Sequence, residues 1–187
     1  KDTAVALLDS KWDDTRRFAI GYFRDTFTEA DWTAESLIAL ADSVRPDIQA
    51  FGRELLMRYF KSEDGPQYLL KLSQHPSAAM QLFATNYLQT YAAGQLEYIR
   101  LLEHYFRSVL TRVNKARVAK ERVFNFLETE ALKSEAAAAF IGGIITDISA
   151  TVAIGDKARC ISIMRNISQH YKLELPIQFV EPAVRLQ

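Results

Sequence analysis

The sequence predicts an all-α chain, an α-solenoid of about five antiparallel helix pairs. Three observations lead to that class. Only seven Gly and five Pro occur in 187 residues, too few for a turn-rich β fold or for disordered linkers. Apolar residues recur at spacings of three and four over most of the length, the period of a helix with one buried face. A segment near the start also returns later at a fixed offset, the mark of a repeat architecture.

The repeat can be read directly. Leu7 to Phe23 lies over Leu40 to Leu56 with an offset of 33 and no gap. Asp9-Ser10 falls on Asp42-Ser43, Asp14 on Asp47, Phe18 on Phe51, Ala19 on Gly52 and Tyr22-Phe23 on Leu55-Leu56. In a third copy, 32 residues further on, Phe83-Ala84 and Tyr87-Leu88 match Phe51-Gly52 and Leu55-Leu56, and Pro76 takes the place of Pro46. Two looser copies follow at Ala116 to Leu127 and Gly155 to Ile167, preceded by apolar helices at about 95–110 and 135–149.

Within one unit each element has a reason. A first helix over Ala34 to Ala41 gathers Leu37, Leu40 and Ala41 on one face. Asp42 and Ser43 supply turn oxygens, and Pro46 stands at the first helical position, where a missing N–H costs nothing. Asp47 follows in the first turn, where the helix dipole favours a carboxylate. The second helix then buries Ile48, Phe51, Leu55 and Tyr59, and the small residue after each Phe lets a paired helix approach. Second helices are expected at about 13–27, 46–60, 77–91, 114–129 and 157–170, lining one face of a right-handed stack. No single pair covers its own apolar face, so neighbours must stack.

The pattern L-x-A-L-x-D-S-x-x-P-D-x-Q-x-F-G-x-x-L-L, Leu37 to Leu56, resembles a HEAT-type (armadillo-like) repeat. The turn Asp is present at Asp9 and Asp42, and a basic residue after the turn appears as Arg45. The resemblance implies a fold and no activity, because such repeats serve as scaffolds, transport receptors and regulatory subunits, and in a few cases as nucleic-acid enzymes. A helical repeat domain over 1–171 is expected, followed by an extended tail over 172–187 that packs on the last repeat or leads to a further domain. The chain opens inside a first helix at about Asp2 to Leu8, and is expected to belong to a larger protein.

Charge and composition exclude some functions. Lys+Arg and Asp+Glu both number 23, so global charge gives no drive toward nucleic acid. Residues 1–64 hold 13 acidic and 9 basic residues, whereas residues 107–133 hold 7 basic and 3 acidic ones. Cys160 is the sole cysteine, which forbids an intrachain disulfide and points to a reducing, cytoplasmic setting. Ala136 to Ile154 is nearly uncharged, but its Ala content and central Asp147 argue for a buried helix over a membrane span.

Chemistry-bearing patterns are scarce. His75, His104 and His170 have no second His or Cys at metal-ligand spacing, and Cys160 belongs to an apolar stripe with Met164 and Ile167. Gly142-Gly143 lacks the Lys and the preceding strand of a phosphate loop, and close helix crossing explains it better. No catalytic residue, cofactor or metal site is expected. Trp12-Asp13-Asp14 and Asp31-Trp32 offer the residue types with which some HEAT-like DNA glycosylases hold a damaged base. The acidic surroundings of the first 64 residues are wrong for a phosphate-binding surface.

The strongest signal outside the core is Arg107 to Arg122, six bases and one acid. On a helical wheel Ala116, Ala119, Val123 and Leu127 share a face, with Arg117 and Lys120 to one side and Lys115 and Arg122 to the other. The candidate partner- or anion-binding residues are therefore Arg53, Arg112, Lys115, Arg117, Lys120 and Arg122. The expected function is a non-catalytic protein-protein interaction scaffold or regulatory domain. The alternative is a nucleic-acid-binding HEAT-like module that uses residues 107–122.

Overall fold

The computed structural model describes residues 6–59, 65–112 and 116–178. All regular structure among them is helical. The helices are α1 (Asp13–Thr26), α2 (Ala34–Ala41), α3 (Pro46–Tyr59), α4 (Gly65–Gln74), α5 (Ala78–Ala84), α6 (Leu88–Tyr91), α7 (Leu96–Leu101), α8 (Glu103–Leu110), α9 (Arg117–Ala131), α10 (Glu135–Ile148) and α11 (Ile154–Tyr171). The helix expected at about Asp2 to Leu8 falls mostly outside the described residues. None of these helices is long and apolar enough to cross a membrane.

The chain divides into two compact units, Lys1–Met80 and Gln81–Gln187. In the first unit, α2 opens on Thr33, whose hydroxyl accepts from the Ser36 N–H while the Ser36 hydroxyl reaches back to the Thr33 N–H. It buries Leu37, Ile38, Leu40 and Ala41 against α3, which starts at Pro46 and buries Ile48, Phe51, Leu55, Leu56 and Tyr59. Gly52 makes this packing possible. A Cβ there would stand 2.3 Å from the Ala41 nitrogen and 2.5 Å from the Leu40 carbonyl carbon. Trp32 closes the other flank, buried between Phe23, Phe27 and Phe51 with ring centroids 5.2–6.3 Å apart.

The second unit is centred on α8, α9, α10 and α11. Phe106, Val109, Val123, Leu127, Ile141, Ile145, Cys160 and Ile163 are all essentially inaccessible. The buried Tyr105 hydroxyl donates to the Gln81 carbonyl at 2.8 Å, and burial raises its pKa above the ordinary phenol value. At Gly94 the backbone takes φ +75°, a conformation glycine adopts without strain, and its N–H meets the buried Glu130 carboxylate at 2.7 Å.

Two expected helices are interrupted. The helix expected over 77–91 tightens into a 3-10 turn at Thr85–Tyr87, where the Thr85 hydroxyl donates back to the Leu82 carbonyl at 2.6 Å. The helix expected over 95–110 breaks at Leu102, whose φ −88° and ψ 3° leave the helical region. Gly142 also has a different reason from the expected helix crossing. Leu175 of the segment after α11 lies against it, and a Cβ would come within 2.9 Å of the Leu175 side chain. Beyond Leu175, the Gln178 N–H meets the buried Ser149 hydroxyl at 2.8 Å.

Side-chain bonds between distant segments recur at similar sequence separations. Arg16 reaches Asp47, Arg24 reaches Glu54, Lys71 reaches Glu35 and Ser77 reaches Asp42 in the first unit. In the second, Arg107 reaches Asp147, Lys120 reaches Asp156, Arg159 reaches Asn125 and Glu128, and Asn166 reaches Glu128. These partners are 30–40 residues apart. Two of the bonds are equivalent in detail. Arg16 and Lys120 are each the fourth residue of their helix, and each meets an Asp in the first turn of a later one.

The first of these bonds gives a pH dependence. The Arg16 guanidinium, 2.7 Å from Asp47, holds that carboxyl below its ordinary pKa, and Lys71 does the same for Glu35. A depressed carboxyl stabilises the fold fully above its unfolded pKa, about 4, and the contribution disappears as pH falls through the folded value. Melting temperature should be level from neutral to about pH 5 and decline below about pH 4. Asp47→Asn should flatten that decline. An acid limb unchanged in the variant would remove the pair from the account.

Candidate functional site

The basic segment is not one helix. α8 ends at Leu110 and α9 begins at Arg117, preceded by Ala116 in a left-handed conformation with φ 67°. A single wheel through residues 107–122 therefore does not apply, and the two ends serve different helices. Arg107, on α8, donates to Glu103 at 2.8 Å and to Asp147 at 2.9 Å. Lys115 lies outside the described residues.

The remaining candidates have separate environments. Lys120 is buried, its side chain 10% exposed, and its amine is paired with Asp156. The sequence placed it beside the buried stripe; the carboxylate that lets it enter the interior comes from α11, 36 residues away. Arg122 is exposed and donates to the Thr85 hydroxyl at 3.0 Å and to Asn86 at 2.8 Å. Arg112 is half-buried, and Arg117 is exposed at the first position of α9. Arg53, on α3 in the first unit, is half-buried with its Nε lacking a hydrogen-bond partner.

Arg117 and Lys120 are brought together on a groove of about 590 Å³ between the starts of α9 and α11. Phe124, Ala116 and Ala153 supply its apolar surface, and Glu121, Asp156 and Arg159 its polar edge. Within it Lys120 is neutralised by Asp156, and Arg159 by Glu128 at 2.7 Å. Among the described lining residues, Arg117 is the cation left on the rim. Sequence reading found Arg117 and Lys120 and missed Phe124, Asp156 and Arg159 as neighbours, since nothing local joins α9 to α11.

The other chemistry-bearing residues are spread out. Trp32 is 8% exposed and walled by Phe23, Phe27 and Phe51, with no ring face open to a base. Trp12 is 65% exposed, and Lys11 stands 5.1 Å from its ring. Asp13, beside it, is paired with Arg16. Cys160 is buried and its thiol is pushed up to about 12 by desolvation, so it stays protonated at neutral pH. His75 accepts from the Ser77 N–H at 3.2 Å, and its Nδ1 lies 3.8 Å from Asp42. No group of three or more His, Cys, Asp or Glu among the described residues has the arrangement of a metal site.

By its described elements the chain is an all-α protein. No protein-family model matches it, and neither a curated protein nor a solved structure matches it.

Proposed function

We propose that each unit is a stack of HEAT-like helix pairs and that the chain is a non-catalytic interaction module. The observation that carries this reading is the set of bonds one repeat length apart, above all the equivalent pairs Arg16–Asp47 and Lys120–Asp156. They suit a quasi-linear stack, in which each pair touches only its neighbours and leaves a long surface for a partner. The docking place is the groove between α9 and α11. Its rim cation Arg117 and its apolar lining of Ala116, Ala153 and the edge of the largely buried Phe124 suit a protein segment with an acidic residue next to an apolar one. A nucleic-acid backbone is less well served, because Lys120 and Arg122 already have partners within the chain.

The test is selection from a random peptide display library, followed by fluorescence anisotropy of the winners and of a labelled DNA 20-mer. Selected peptides should carry Asp or Glu beside an apolar residue, and Arg117→Glu should weaken them at least about tenfold. DNA should bind weakly, with little change in the variant. Peptide binding indifferent to Arg117→Glu would refute the groove. Tight DNA binding that falls steeply with salt would replace the reading with the nucleic-acid one.

A further inference from the structure

Two helices leave an outer stripe open, and the two stripes are complementary. On α1 the stripe is Asp14, Phe18, Tyr22 and Asp25, all exposed. Phe18 is 71% and Tyr22 51% exposed, with their rings stacked at 6.3 Å. On α11 it is Ile154, Ala158, Ile161 and Arg165. Paired aromatics left in water on one helix, and isoleucines on another, mark contact surfaces more than solvated faces.

The repeat itself says what covers a stripe of the first kind. Thirty-three residues on, Asp14 becomes Asp47, Phe18 becomes Phe51 and Tyr22 becomes Leu55. Those three are not left open. Asp47 accepts from Arg16, Phe51 is 2% exposed with the Arg24 guanidinium 5.6 Å over its ring, and Leu55 is buried. Arg16 and Arg24 are the fourth and twelfth residues of α1. The cover is therefore a second helix with a base at position four and another at position twelve.

α11 has that pattern. Lys157 is its fourth residue and Arg165 its twelfth, with Ile161 between them. Lys157 already donates to the Gln178 carbonyl at 3.2 Å, so Arg165 is the base available outward. We propose that α11 of one copy stacks on α1 of another, with Arg165 over Phe18 and Tyr22 beside Asp25. The partner is a second copy of this chain, and the contact is head to tail. Such an interface joins two different surfaces and leaves one of each free, so copies add beyond a dimer, into a ring or an open row. The inference rests on the repeat reading proposed above, and adds to it a use for the two exposed stripes.

Sedimentation velocity over a concentration series tests it. The chain should form species beyond a dimer as concentration rises. Phe18→Asp and Arg165→Glu should each weaken association at least about tenfold, and an equimolar mixture of the two should recover a dimer and nothing larger, because one keeps an intact α11 and the other an intact α1. Both side chains are exposed, so melting temperature should stay near that of the parent chain. A chain that stays monomeric up to its solubility limit would overturn the proposal, as would association that survives either substitution. Stacking within a copy is read separately, by the effect of Lys120→Met on the stability of the monomeric Phe18→Asp chain. A large effect there, together with a parent chain that does not self-associate, would reject the head-to-tail contact and leave the repeat reading intact.

Discussion

Gly52→Ala should cost the first unit about 3 kcal/mol. The added carbon would stand 2.3 Å from the Ala41 nitrogen and 2.8 Å from its Cα. These are backbone atoms and cannot rotate away, so α2 and α3 must separate and uncover Leu37, Phe51 and Leu55. A melting temperature lower by roughly 10 °C is expected. The control is Gly143→Ala on α10, where nothing lies within 4 Å of the added carbon. There the helix interior should gain about 1 kcal/mol, because Ala has less backbone entropy to lose. Equal responses at the two positions would mean that Gly52 is not the contact that sets the distance between α2 and α3.

Lys120→Met should destabilise the second unit by about 2 kcal/mol, since it strands the Asp156 carboxylate, whose side chain is 23% exposed, without its counter-charge. Asp156→Leu should do comparable damage by stranding the ammonium. The double variant should recover most of the loss, because a paired charge and a packed apolar pair of similar volume differ little in net stability. A double-mutant cycle in urea measures the coupling directly. Strictly additive losses would show that the two side chains do not act as a pair.

What the sequence disclosed followed from periodicity. α2 spans Ala34–Ala41 as read, α3 begins at Pro46, and Cys160, Met164 and Ile167 are buried together. Phe18 shows the limit of copying one repeat onto another. It aligns with the buried Phe51 yet stands in solvent, because burial depends on a neighbour that alignment does not supply. The candidate site was half legible for the same reason. A wheel orders residues within one helix and places Arg117 and Lys120 near each other. It cannot see Asp156 arriving from α11 to bury Lys120, nor Ala116 turning left-handed and ending the wheel.

The spacing of the interhelical bonds also bears on how the chain folds. Arg16–Asp47, Lys71–Glu35, Lys120–Asp156 and Asn166–Glu128 close loops of nearly the same length. Closure entropy rises only with the logarithm of loop length, so these steps carry nearly equal penalties. None of them is a slow, distant closure on which the others must wait. In the repeat reading proposed above, either unit then begins at whichever pair of helices meets first and grows outward from it, with speed set by the best local nucleus.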